Sequence, residues 1–353
     1  MSCYNPSVCY VFYDKKTLSR GHSLVVKDFD YKKLSYIKSA IGTEKSFYNK
    51  KEQCVDDCVC TDAVLIPCNH CVGCCSDISR SWMHRMVLEN EVSKCSYFLT
   101  LTYDDDHMPK NHQLDPKHLQ KFIKDLRNYF KNVFDYDGIR YYAVGEYGSK
   151  SGRCHYHALM YNLPLTALEY GVLGLKYDNR FKFKSVGVNE FGDCLYQFDL
   201  LNKIWGKGFV VVGSVTAKSC AYVSRYVDKK RMTGEKNKEL KRRGIVPEFS
   251  LSSKRPGIGY FYYYKYWRDI LDNNLEIVVS GGQKISVGRY FEKFIEKEHP
   301  EAFDEYKRLK DSKALFGKSF INNLDHNYLS INDGLKAVEK LKIESYKTLK
   351  RNL

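Results

Sequence analysis

Between residues 96 and 230 the apolar and polar positions fall into short, separable patterns. SYFLTLTY (96–103) is a strand-length run of Phe, Leu, Thr and Tyr, and predicts a buried strand. The polar stretch DDDHMPKNHQL is a loop, after which Asp115 and Pro116 supply an N-cap and a first-turn proline. Leu119, Phe122, Ile123, Leu126 and Tyr129 then recur at helical spacing. IRYYAVGEYG and CHYHALMY, joined by the turn-rich GSKSGR, predict a hairpin. A helix around LYQFDLLNKIW, a strand at GFVVVGSVT (208–216) and a helix over AKSCAYVSRYVDKK (217–230) complete the series. This order predicts an α+β fold, a central antiparallel sheet with packed helices.

The flanks differ in character. Residues 1–95 read as an irregular, Cys-rich region with one helix near SDISRSWMHRMVLENEVSK. After Lys230 comes a charge run, then the aromatic and basic SSKRPGIGYFYYYKYW (252–267), then residues that alternate charged and apolar in helical fashion. Three regions are therefore expected: a Cys-rich N-terminal region (1–95), a core (96–230) and a basic, aromatic C-terminal region (231–353).

Composition adds a partner class. The 353 residues hold 57 Lys and Arg against 42 Asp and Glu, a formal charge of +15. A basic surface attracts polyanions, nucleic acid first among them, and the 29 tyrosines and 19 phenylalanines offer stacking surfaces for bases. An A/T-rich genome would produce the same bias, so charge alone does not decide. No apolar run approaches the ~20 residues of a membrane span, and the N-terminus lacks a signal peptide. An intracellular protein without a membrane partner is expected. Thirteen cysteines in that setting point to thiols or metal rather than disulfides, and seven of them lie between residues 54 and 75.

Candidate chemistry starts at the hairpin. His155 and His157 are two apart on a strand and share a face. If GSKSGR turns at its middle, Glu146 lies directly across from His155, with Cβ atoms about 5 Å apart. Two imidazoles and a carboxylate suit Mg²⁺ or Mn²⁺, with positions left for water or phosphate. Two half-buried strand histidines with ordinary hydrogen bonds are the alternative. Downstream, Tyr222 and Tyr226 are four apart on a helix and stack on one side of it, with Arg225 between them and Lys229 and Lys230 one turn on. An aromatic core stripe would show the same spacing.

FLTLTY (98–103), HYH (155–157) and YVSRYVDKK (222–230) stand in an order that resembles the HUH endonucleases, the initiators of rolling-circle replication. The paired tyrosines resemble the initiators of small isometric single-stranded DNA phages. PCNHCVGC (67–74), SRSWMHR, GEYG and KRPGIG (254–259) are similar to the replication protein of the gokushovirus branch of microviruses. The resemblance spans roughly residues 67–267.

It implies that His155 and His157 bind a divalent cation and that Tyr222 and Tyr226 are nucleophiles. Glu146 matches the third ligand, with Asp104–Asp106 as its competitor. Lys229 and Lys230 would stabilise phosphate and phenolate. The implied enzyme is a metal-dependent, site-specific DNA endonuclease with strand-joining activity. It would nick the viral origin strand through a covalent 5′-phosphotyrosine, leave a 3′-OH primer, and rejoin the displaced strand into a circle. Implied partners are origin DNA, as double-stranded replicative form and as single strand, with the host replication helicase and polymerase. The implied location is the cytoplasm of a bacterial host. A zinc-stabilised nucleic-acid-binding protein without catalysis, or an HUH transposase or relaxase, are the rival readings.

Two further features remain. Cys68, Cys71 and Cys74 form C-x₂-C-x₂-C, spacing that can supply a structural zinc site, with Cys58 as the fourth ligand and His70 as the alternative. A reduced Cys-rich loop is the other reading. The 229–243 run holds eight Lys or Arg, and Arg225, Lys241, Arg242 and Arg243 are candidate contacts to DNA backbone; a solvated charged surface would look the same.

Overall fold

The computed structural model describes residues 3–17, 20–27, 39–49, 53–148, 151–177, 182–189, 192–232, 234–273, 275–279, 282–314 and 331–351. The chain forms two compact units, one of residues 1–77 with 310–353 and one of residues 78–309. These divisions differ from the 95/96 and 230/231 boundaries that composition suggests.

In the first unit, β1 (Ser7–Asp14), β2 (Arg20–Val26), β3 (Glu44–Asn49) and β4 (Cys54–Ile66) make an antiparallel sheet in the order β2-β1-β4-β3. Regular strands thus occupy a region expected to be irregular. The inward positions of β4 are Cys58 and Cys60, which pack with Phe12 and leave a strand with few large apolar residues to mark it. Helix α1 (Val72–Val92) follows.

The second unit is built on a seven-stranded antiparallel sheet. Its elements in chain order begin with β5 (Ser96–Tyr103), α2 (Pro116–Phe134), β6 (Arg140–Tyr147), β7 (Cys154–Tyr161) and α3 (Ala167–Val172). They continue with β8 (Phe183–Val188), β9 (Cys194–Phe198), α4 (Asp199–Trp205), β10 (Gly208–Ser214), α5 (Ala217–Met232), α6 (Gly234–Arg242) and β11 (Phe249–Ser252). Then come α7 (Tyr260–Asp272), a small hairpin of β12 (Glu276–Val279) and β13 (Gln283–Ser286), α8 (Arg289–Glu298) and α9 (Pro300–Ala314). A last helix, α10 (Ile331–Arg351), falls in the first unit. Strand order in the large sheet is β11-β6-β7-β5-β10-β9-β8. The expected α+β class, an antiparallel sheet with packed helices, is the one observed.

Local differences have local causes. LYQFDLLNKIW is half strand, because β9 takes its first residues into the sheet and the helix starts only at Asp199. The aromatic run from Tyr260 is a helix, and β11, just before it, is an edge strand of the large sheet.

Strand alternation gives the sheet two different faces. Leu99, Leu101 and Tyr103 of β5, with Tyr156, Ala158 and Met160 of β7, point to one face. There they meet Leu119, Phe122, Ile123, Leu126 and Phe130 of α2, each worth about 1.5–3 kcal/mol on burial. Asp115 caps α2 by accepting from the Lys117 N–H, as its position before Pro116 predicts. The other face carries Tyr142, Val144, Leu159 and Tyr161 against Met86 and Leu88 of α1, Cys220 and Val223 of α5, and Tyr263 of α7. By the same alternation His155 and His157 belong to this second face, under α5.

The KRPGIG segment is latched from beneath. Glu89 of α1 forms a buried ion pair with Arg140 of β6 and also accepts from the Gly259 N–H at 2.6 Å. Arg140 donates to the carbonyls of Pro256 (2.9 Å) and Gly257 (2.8 Å), and Arg85 donates to that of Ile258 (2.9 Å). Gly259 has φ +88°, a conformation that other residues rarely adopt, and it leads directly into α7.

Candidate active site

The hairpin register places Glu146 opposite His155 and Val144 opposite His157, the pairing expected from a turn centred in GSKSGR. Nε2 of His155 lies 2.6 Å from Glu146 Oε1, and Nε2 of His157 lies 3.3 Å from the same oxygen. The other ring nitrogens are held from behind. His157 Nδ1 is 3.0 Å from the Thr100 hydroxyl, and Thr100 sits directly across from it on β5. His155 Nδ1 is 3.3 Å from the Arg153 carbonyl. Phe98 stacks on His157 at 5.2 Å. Both imidazoles therefore present Nε2 to one point, with their tautomers set by Nδ1 partners.

Helix α5 brings the tyrosines to that point. Thr216 and Ser219 exchange side-chain and backbone hydrogen bonds at its start, the Ser219 N–H donating to Thr216 Oγ1 at 3.1 Å. Cys220 and Val223 are buried against the sheet, and Ser79 of α1 donates to Ser224 at 3.1 Å. That packing turns Tyr222 and Tyr226 toward the hairpin. Tyr222 donates to Glu146 Oε1 at 2.9 Å, and Tyr226 donates to the Tyr222 hydroxyl at 3.0 Å. The Tyr222 ring meets the His157 ring edge-on at 5.3 Å. Tyr226 is buried, whereas Tyr222 is 36% exposed.

Glu146 organises the charge. Burial by itself would favour its neutral form, but hydrogen bonds from His155 and His157 outweigh that and hold its carboxyl at about 2. In return, Glu146 raises His155 above an ordinary histidine despite burial. His157 is more deeply buried, and desolvation wins there, lowering its pKa. Tyr222 is pushed well above the usual phenol range by burial and by the Glu146 carboxylate, with the exposed Arg225 acting in the opposite direction. As it stands, the set keeps Tyr222 protonated.

The residues fit a small divalent cation. Glu146 Oε2 is buried without a hydrogen-bond partner, and the carboxylate and both histidines belong to a set whose ligand atoms lie within 4.8 Å of one another. A buried carboxylate oxygen left unpaired is costly unless something cationic meets it. The competing acidic run is engaged elsewhere: Asp104 accepts from His107, and Asp105 pairs with Arg153 at 2.7 Å.

A family model for replication-associated proteins of the ORF2 type matches residues 96–231, the span from β5 to the end of α5. Replication-associated protein ORF2 of Spiroplasma virus 4 is 34% identical over 243 residues, which cover 67% of this chain and 70% of that protein. The chain belongs to this family of replication-associated proteins. Replication-associated protein VP4 of Bdellovibrio phage phiMH2K is 29% identical over 243 residues, 68% of this chain and 70% of the relative. Replication-associated protein ORF4 of Chlamydia phage 1 is 30% identical over 237 residues, 66% of this chain and 54% of the relative. These relatives make the chain a microvirus replication-associated protein of gokushovirus type. No solved structure matches it.

In this replication-associated protein the remaining candidate residues fall into three groups. Arg225 is exposed beside Tyr222, and Lys241, Arg242 and Arg243 are exposed at and just beyond the end of α6, where Arg242 approaches Glu239 at 3.6 Å. The side chains of Lys229 and Lys230, on α5, lie outside the described residues. The thiol cluster departs from expectation. Cys68, Cys71 and Cys74 gather with Cys3, while Cys58 is buried in β4 beside Phe12 and Cys60. Strand pairing points Cys58 into the small core of the first sheet, so nearness in sequence to Cys68 does not become nearness in space. His70 is exposed and stands outside the thiol group.

One acidic residue carries no local signal in the sequence. β11 pairs Phe249 with Gly145, so the residue before it, Glu248, comes level with Glu146 at the sheet edge. Its carboxylate acts on both His155 and Tyr222. Only the assignment of a four-residue edge strand would have brought it to the hairpin. Gly145 leaves room for this strand, since a Cβ there would come within 2.7 Å of the Phe249 ring.

Proposed function

We propose that this protein initiates rolling-circle replication of a phage genome as a tyrosine endonuclease and strand-joining enzyme. The observation that carries the reading is the unbroken chain of contacts from Tyr226 to Tyr222 to Glu146 to His155 and His157. Nucleophile candidates and a divalent-cation donor set meet at one carboxylate oxygen, within the segment that matches the family.

His155, His157 and Glu146 would hold Mg²⁺ or Mn²⁺, which when bound supplies Lewis-acid stabilisation of the scissile phosphate and helps orient it. The chain's own residues do the rest. The phenolic oxygen of one tyrosine attacks phosphorus, forming the Tyr–O–P bond as the P–O3′ bond breaks. The phenol proton must leave, and the departing 3′-oxygen takes up a proton to become the 3′-OH. Arg225 favours the phenolate, and Thr100 keeps His157 turned with Nε2 toward the carboxylate. The 5′-phosphotyrosine conserves the phosphodiester, so a second attack by a released 3′-OH can close a circle without ATP. Two tyrosines on one helical face let a single chain alternate between cutting and joining. The names of its relatives favour replication, rather than transposition or conjugation, as the process served.

The DNA partners proposed are the double-stranded replicative form at the origin and the displaced single strand. The 3′-OH would serve a host polymerase, with a host helicase opening the duplex, in the cytoplasm of an infected bacterium. Incubation with supercoiled replicative-form plasmid and Mg²⁺ tests the reading. Nicked circles carrying a covalent adduct that maps to Tyr222 or Tyr226 are expected. Absence of both nick and adduct would leave a DNA-binding protein without chemistry and overturn the proposal.

A further inference from the structure

We infer that Cys3, Cys68, Cys71 and Cys74 form a closed tetrathiolate zinc site that ties the chain's third residue to the start of α1. The four sulfur atoms lie within 4.8 Å of one another. Two separations that share no atom, Cys68–Cys74 and Cys3–Cys71, are 3.9 Å each. Four ligands around zinc at Zn–S distances of about 2.3 Å place neighbouring sulfurs about 3.8 Å apart, so these two contacts match opposite edges of a tetrahedron. The same distances are far too long for disulfides, and all four cysteines are free thiols.

The surrounding backbone is arranged for thiolates. Cys68 Sγ accepts from the N–H groups of His70 (3.5 Å) and Cys71 (3.3 Å). Cys71 Sγ accepts from those of Cys74 (3.4 Å) and Tyr4 (3.4 Å), and Cys3 Sγ accepts from that of Cys68 (3.2 Å). Donors converging on sulfur stabilise negative charge there. Asn69 has φ +64°, a left-handed turn that lets Cys68 and Cys71 face each other across two residues. Cys74 lies in the first turn of α1, where the helix dipole favours an anion. A merely reduced, apolar thiol cluster would need none of these donors.

Four thiolates fill a tetrahedral shell and leave no open position, so the site is structural. It bridges positions 65 apart in the chain, Cys3 and Cys68, and therefore closes a long loop over the first sheet. Metal binding would then contribute directly to folding of this unit. The inference stands whether or not the tyrosine site cuts DNA.

The test uses full-length protein purified under reducing conditions, in both the natural sequence and a His155→Ala/His157→Ala form that removes the other metal donors. Elemental analysis should find about one zinc per chain in both. X-ray absorption at the zinc edge should show four sulfurs at about 2.3 Å with no nitrogen neighbour. Cys3→Ser should lose zinc or replace one sulfur by a lighter atom, while Cys58→Ser keeps the full sulfur shell. Absence of zinc, iron in its place, a histidine nitrogen in the shell, or loss of zinc on Cys58→Ser but not Cys3→Ser would overturn the assignment. The absorption spectrum of the natural sequence decides the question even if Cys3→Ser fails to fold.

Discussion

Tyr222 stands between Tyr226 and Glu146, donating to the carboxylate at 2.9 Å while accepting from the second tyrosine at 3.0 Å. The two hydroxyls are therefore not equivalent. Tyr222 touches the metal-ligand candidate and is 36% exposed, whereas Tyr226 is 6% exposed and lies behind it. Phosphate arriving from solvent meets Tyr222 first. Tyr222→Phe should therefore slow the first cut of an origin substrate more than Tyr226→Phe does. Tyr226→Phe should still nick while failing to complete the second cut and closure. The double change should form no adduct. Single-turnover assays that trap the covalent species on labelled origin strands check this order, and faster first cutting by Tyr222→Phe than by Tyr226→Phe would reverse it.

Thr100 offers a separate handle on the same site. Its hydroxyl lies 3.0 Å from His157 Nδ1, and its strand position opposite His157 is suited to a β-branched residue. Thr100→Val should keep the fold but release the imidazole from its tautomer. Loss of such an outer partner costs about 10- to 100-fold in metal affinity. Calorimetric titration with Mn²⁺ should show that weakening, and Thr100→Ser should recover most of the affinity. Unchanged affinity in Thr100→Val would mean that Phe98 packing alone orients His157.

Metal binding should also depend on pH with a defined sign. Both histidines must be neutral to ligate, and His155 has its pKa raised above the ordinary 6.5 by Glu146. His157 is shifted down and is already neutral near pH 7, while Glu146, at about 2, remains ionised throughout this range. Affinity should thus fall by about tenfold per pH unit below the His155 pKa, beginning above pH 6.5 rather than below it. Each ion bound in that window should release about one proton, measurable by titration in buffers of different ionisation enthalpy.

Much of this site was legible in the sequence because its parts are local. The Glu146–His155 register follows from the short turn GSKSGR, and the tyrosine pair needs only helical spacing. Parts joined over long separations were not legible. Cys3 reaches Cys68 across 65 positions, while the nearer Cys58 is diverted into a sheet whose thiol-lined strand carries little hydrophobic signal. Glu248 depends on a four-residue edge strand that follows a charge run. KRPGIG stands out in the sequence, but its physical role emerges only once Glu89 and Arg140 are seen to hold it.

That latch supports the last prediction. Glu89 is 1% exposed and Arg140 is 7% exposed, and their ion pair is completed by the backbone of residues 256, 257 and 259. Arg140→Ala would leave the Glu89 carboxylate buried with no cation, a defect that costs about 3–5 kcal/mol. It would also orphan two carbonyls in the approach to α7. Denaturant unfolding of the variant should show destabilisation of that order, with the slope against denaturant little changed. Glu89→Gln/Arg140→Met, which removes both charges, should be less destabilised than Arg140→Ala alone, since the uncompensated charge is then gone. Equal losses in the two variants would place the cost in the carbonyl contacts instead of the ion pair.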